Sequence, residues 1–168
     1  MNFQEWLKKQ PEMTQGEKIA AQSAWIAARA QFDIVNDVRE FHAKFGLLLN
    51  YEPGFLSDKK FQERVDFQHE ELGETVVAAN KKDMANIADG LVDQIYVALG
   101  TVVMMGLPFT NLWREVHAKN MAKVRGITKR GHRVDVTKPP GWTPPDLLPI
   151  LVAAGFSPDD PRVYDDAQ

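Results

Sequence analysis

No cysteine occurs in the 168 residues of this chain. Disulfides, thiolate metal sites and a cysteine nucleophile are excluded together. The opening residues, MNFQEWLKKQPEM, lack the apolar core of a signal peptide. The apolar run at 91–106 is interrupted by Asp93 and Gln94, so a membrane span is not expected and a cytoplasmic location is. Glu-x-x-His, the motif that carboxylate-bridged di-iron bundles use, is absent. The formal charge is only −3, which speaks against a dedicated nucleic-acid binder. With 44% hydrophobic and 26% charged residues, the chain has the composition of one globular domain with a sizeable core.

Two acidic groups stand out against that background. Glu70, Glu71 and Glu74 lie in FQERVDFQHEELGETVVAAN, and Asp89 and Asp93 lie in DMANIADGLVDQIYVALGTVVMMG. Both stretches lack proline and carry apolar residues at helical spacing, which predicts two helices. On the first, Phe61, Val65, Leu72, Val76 and Ala79 form an apolar stripe with the three glutamates turned away from it. Alone, that is the ordinary solvated face of an amphipathic helix. The second helix is apolar nearly all round, the pattern of a helix buried on most of its surface, yet Asp89 and Asp93 stand one turn apart on it. A buried carboxylate needs a cation partner. If the two acidic faces meet, five carboxylates converge, and their repulsion would raise their pKa values unless a divalent cation sat among them. An all-oxygen set suits a hard ion, Mg²⁺ or Mn²⁺.

The rest of the chain reads as helices and breakers. Thr14-x-x-Glu17 is a capping box opening an alanine-rich helix to about Ala30. A break near Asp33 precedes a second helix that ends at Gly46, a candidate C-cap. Pro53-Gly54 turns the loop before the Glu helix, with Ser57 or Asp58 as cap. Asn80-Lys81-Lys82-Asp83 predicts an antiparallel hairpin of the two acidic helices. Gly106-Leu107-Pro108 ends the second of them, and Thr110 or Asn111 is expected to cap the next helix. The residues after Gly126 are rich in Pro, Gly and basic side chains, with Gly131 a candidate hairpin turn and an acidic, loose tail at the end. The expected fold is all-α, an antiparallel bundle of about four core helices with a Pro/Gly-rich C-terminal arm. The expected segments are a helical extension over 1–32, the main domain over 33–151 and a tail over 152–168.

Taken together, HEELGETVVAAN, IADGLVDQIYVALGTVVMMGLP, EVHAKNMAK and KPPGWTPPDLLPIL resemble, in that order, the MazG-like all-α nucleoside triphosphate pyrophosphohydrolases and their phosphoribosyl-ATP pyrophosphohydrolase relatives, the small bacterial and phage members above all. The resemblance implies metal-dependent cleavage of a nucleoside triphosphate between the α and β phosphates, giving a monophosphate and pyrophosphate. It also implies two or three Mg²⁺ or Mn²⁺ ions per site, held by Glu70, Glu71, Glu74 and Asp93. The second motif of such proteins is often Glu-x-x-Asp, but Gly90 stands three before Asp93 here; Asp89, four before, is the substitute ligand. Aligning a water on a triphosphate leaves one carboxylate to take the proton, and Glu71, with Glu70 beside it, is assigned that catalytic role.

Phosphates beyond the metals' reach need cations, and residues 119–138 are the densest basic run. Lys123 is the first choice for phosphate contact, Asn120 the second, followed by Lys119, Arg125 and Lys138. Lys129, Arg130 and Arg133 are equally well read as a solvated helix end. Trp142 is read as pinning the Pro-rich arm to the bundle. Tyr96 and His42 complete the candidate substrate contacts. The resemblance further implies a homodimer or a dimer-of-dimers tetramer whose pockets borrow residues across subunits. Its substrates would come from the dNTP pool of a bacterium or phage-infected cell, with dGTP to dGMP one specific case. Two competing readings are a non-catalytic nucleotide sensor and a helical interaction module.

Overall fold

The computed structural model describes residues 7–8, 10–30, 33–126 and 135–165. The chain divides into two compact units, 1–37 and 38–168. In the first, Thr14 and Glu17 cap helix α1 (Gln15–Ala30) as the capping box predicts. The Thr14 amide donates to Glu17 Oε2 at 2.8 Å and the Glu17 amide donates to Thr14 Oγ1 at 3.3 Å. The bonds that the Thr14 amide and then the Thr14 hydroxyl donate to Glu17 Oε2 hold the Glu17 carboxyl below its ordinary pKa. Asp33 Oδ1 accepts from the amides of Val35 and Asn36 and so opens α2 (Ile34–Phe45) after the expected break.

The second unit is built on the hairpin of α3 (Asp58–Asn80) and α4 (Met84–Met104), the most closely packed pair of elements. Gly46, at φ +63°, closes α2 as expected. Ser57 caps α3 by accepting from the Lys60 amide, and Asp83 caps α4 by accepting from the Asn86 amide. The reversal between them passes through Lys82 at φ +56°. Gly106, at φ +64°, ends α4 where a Cβ would strike the backbone of Glu52. Helix α5 (Phe109–Met121) starts one residue before the expected caps: Pro108 stands at its N-cap and, having no polar side-chain atom, makes no cap bond.

The hairpin is turned inside out relative to the expected stripe. Phe61, Leu72 and Val76 are about half exposed, and the face of α3 that meets α4 is Arg64, Gln68, Glu71, Thr75 and Ala78. The Arg64 guanidinium donates to Val97 O at 2.8 Å and Thr101 Oγ1 at 3.2 Å, and Gln68 Nε2 donates to Gln94 O at 2.8 Å. Burial holds Arg64 below its usual pKa. Nor is α4 buried on most of its surface. Gly90, Leu99, Gly100, Val103 and Met104 are buried, while Leu91, Val92 and Ile95 are more than half exposed. A helix hydrophobic on two sides satisfies one side within the chain and leaves the other facing out.

The end of the chain also departs from expectation. After β2 (Val124–Gly126), paired antiparallel with β3 (Asp135–Thr137), comes the short α6 (Leu148–Ala153), and then β4 (Val163–Tyr164) pairs in parallel with β1 (Phe55–Leu56). Gly131 lies outside the described residues. Tyr164 Oη donates to Glu52 O at 2.9 Å, Arg162 ion-pairs with Glu52, and Phe156 stacks edge-on against Phe55. The loose tail is, through residue 165, a strap over the loop that feeds α3. Tyr164→Ala should lower stability by about 1 kcal/mol or more through the stranded Glu52 carbonyl and lost packing. Urea unfolding measures it, and an unshifted midpoint would mean that the strap adds nothing.

Candidate active site

Glu71 is the only glutamate of the acidic motif that is part of the α3–α4 seam, between Gln68 and Thr75. It is partly covered, as is Asp93, whereas Glu70, Glu74 and Asp89 are exposed. The premise of a fully buried aspartate pair therefore fails: Asp89 sits at the outer edge of α4. Glu70, Glu74 and Asp89 instead line a cleft of about 550 Å³ at the turn end of the hairpin, together with Lys81, Asp83 and Asn86. The Glu71 carboxyl is pushed above its ordinary pKa by loss of water, then by the negative charges of Asp93, Glu74, Glu70 and Asp89 in that order. The five carboxylates share one field.

Among the described residues none of the five pairs with Lys, Arg or His, and no three Asp, Glu or His side chains stand close enough to grip an ion as they are. The donor set is nonetheless one that fits a hard divalent cation: all oxygen, negatively charged and exposed to incoming ligand on one side. Position 90 is closed to a carboxylate, because a Cβ at Gly90 would run into the Thr75 hydroxyl.

The basic residues gather elsewhere in the unit. Trp142 Nε1 donates to Lys119 O at 2.9 Å, which pins the Pro-rich arm to the end of α5. Lys138 Nζ lies 4.5 Å and Lys123 Nζ 5.8 Å from the Trp142 ring centre. Lys119 Nζ donates to Thr143 Oγ1, and Lys123 Nζ to Asn120 Oδ1 at 2.7 Å. Two of the expected phosphate-binding lysines, Lys123 and Lys138, thus stand at one indole, and the third, Lys119, accepts the indole N–H at its backbone carbonyl. Arg125 is exposed on β2, and Lys129, Arg130 and Arg133 lie outside the described residues. Tyr96 meets Phe41 edge-on at 5.4 Å. His42 is 4% exposed and its Nδ1 bonds Leu48 O at 2.7 Å, so it braces the loop after α2 rather than facing solvent.

Sequence reading missed Thr75, Gln94, Gln68 and Arg64, which tie the seam, and Lys81 and Asn86 in the cleft. Gln94 followed Asp93 in the quoted motif, but no spacing rule marks an amide as a helix-to-helix tie.

A helical hairpin that presents five carboxylates, none of them in a salt bridge among the described residues, is the all-α frame for which a family match supplies the class, pyrophosphohydrolases. Residues 38–120, from the inner part of α2 to the end of α5, match the family of phosphoribosyl-ATP pyrophosphohydrolase and form a domain of that family, within the MazG-like all-α NTP pyrophosphohydrolase superfamily. No curated protein matches the chain.

Proposed function

We propose that the chain is a metal-dependent pyrophosphohydrolase of (deoxy)nucleoside triphosphates, releasing pyrophosphate and the monophosphate and drawing on the dNTP pool. The observation that carries this is Glu71, held in the seam with its charge opposed by four other carboxylates and, among the described residues, no cation paired to any of them. Glu70, Glu74, Asp89 and Asp93 would hold the ions. Mg²⁺ or Mn²⁺, when bound, neutralises phosphate charge and favours attack at the α phosphorus. Glu71, whose proton affinity is raised, takes the proton of the attacking water as the bond from the α phosphorus to the pyrophosphate oxygen breaks. Lys123, oriented by Asn120, and Lys119 and Lys138 supply positive charge to the leaving pyrophosphate.

The test is pyrophosphate release from a panel of ribo- and deoxynucleoside triphosphates with Mg²⁺, with Mn²⁺ and with chelator. Metal-dependent release supports the reading, and the preferred base names the substrate, dGTP included. Silence across the panel with nucleotide still bound would favour a sensor. Lys123→Ala should raise KM, lower kcat or both, by about tenfold for a lost charge-assisted contact. Unchanged kinetics would leave Lys123 a surface residue.

The working unit of this proposal is a homodimer or a dimer of dimers. Leu91, Val92 and Ile95 are 51%, 59% and 55% exposed on α4, and Leu72 and Val76 are 50% and 51% exposed on α3. An apolar surface of this extent suits a second copy of the same hairpin. Ile95→Asp should shift sedimentation toward the monomer. A single unaltered species would place the contact on another face.

A further inference from the structure

The two acidic rows are kept apart by a defined piece of structure between them. Gly90 is buried where α4 packs closely on Thr75 of α3, and a Cβ there would run into the Thr75 hydroxyl. Gln94, one turn on from Gly90, donates from Nε2 to Thr75 Oγ1 at 2.8 Å and to Gly90 O at 3.1 Å. The Thr75 hydroxyl in turn donates to Glu71 O at 2.9 Å. A chain of bonds therefore runs from the backbone of Glu71 through Thr75 and Gln94 to the backbone of Gly90. Asp89 and Asp93 flank the α4 end of this chain in sequence, and Glu71 and Glu74 the α3 end.

We propose that Gly90, Thr75 and Gln94 form a spacer that sets the separation of the two acidic rows, with Gln94 as its positioning residue. The spacer rests on the metal-dependent reading above. Gly90 permits the close approach, the Thr75 hydroxyl limits it, and the Gln94 amide locks it by joining both helices at once. Glycine and threonine are matched to one another: a methyl group at 90 is excluded by the hydroxyl at 75, not by the helix backbone. The Arg64 contacts with Val97 and Thr101 lie further along α4, and the Gln68 bond to Gln94 O uses the backbone carbonyl, which substitution of the Gln94 side chain leaves in place.

Mn²⁺ binding to the metal-free full chain, followed by electron paramagnetic resonance, tests this without relying on turnover. Gln94→Ala should weaken Mn²⁺ binding about tenfold, the scale seen when a support behind metal ligands is lost, with helix content by circular dichroism unchanged. Thr75→Ser, which keeps the hydroxyl, should bind as the unaltered chain does. Gly90→Ala should weaken binding, yet add nothing further when combined with Thr75→Ala, since the obstructing hydroxyl is then gone. Wild-type affinity in both Gln94→Ala and Thr75→Ala, even with a lowered melting temperature, would make the trio ordinary packing and overturn the spacer. Should Gly90→Ala not fold, Gln94→Ala decides alone. Absence of Mn²⁺ binding by the unaltered chain is a different result: it removes the metal-dependent reading itself, and the spacer with it.

Discussion

Glu71→Gln should lower kcat by on the order of 10²–10⁴-fold, the range for loss of a positioned general base, while raising the melting temperature of the metal-free protein. The two effects share one cause. Glu71 is held above its ordinary pKa by loss of water and by Asp93, Glu74, Glu70 and Asp89. A carboxyl raised in the folded state binds more protons folded than unfolded, so stability falls as pH climbs from the ordinary value through the raised one. At neutral pH the charged group therefore opposes folding, and the neutral amide relieves it. The gain should vanish well below the carboxylate range, where Glu71 is protonated in both states. Calorimetry with chelator across that pH range measures the stability side. Unchanged kcat would move the base to another carboxylate, and a lower melting temperature would show that the Glu71 charge is favourably held.

Asp93→Ala and Glu74→Ala should each abolish metal-dependent turnover, by more than about a hundredfold, because losing a ligand is worse than losing its support. Both proteins should stay folded. Neither side chain makes a hydrogen bond or ion pair among the described residues, so its removal strands no partner. Asp93 is the largest source of the negative charge felt by Glu71, and Glu74 shares the cleft with Glu70 and Asp89. Pyrophosphate release with Mn²⁺ in excess is the measurement, with circular dichroism as control. Near-normal release from either variant would end the assignment of that residue as a ligand.

Helix ends were legible because the signals that set them are local. Thr14 with Glu17, Gly46, the Asn80–Asp83 reversal and Gly106 each act within a few residues. The acidic motif was legible as chemistry, and its field is present at Glu71. Which way the helices face was not. Periodicity finds an apolar stripe on α3, but cannot say whether that stripe meets this chain or leaves it, and here the inward row is polar. The burial of Asp89 was misjudged for the same reason. Composition made the segment after Pro158 look like a tail, because its pairing partner, Phe55–Leu56, is remote in sequence and leaves no local trace. Trp142 was placed correctly as a pin, but the lysines it gathers depend on the path of the arm between β3 and α6.

The strap also sets an order of events during synthesis. Phe55 pairs with Val163, 108 residues later by subtraction of their numbers. At ribosomal speeds those residues take roughly 5 to 20 seconds to make. The α3–α4 hairpin is local and closes within microseconds to milliseconds of leaving the ribosome. For that interval the loop carrying Glu52, Pro53 and Gly54 waits uncovered. The half-made protein thus holds its acidic hairpin, with Asn50 and Gly54 tying the loop to the end of α4, before the strap arrives, and the last step of folding is the capture of an early segment by a late one.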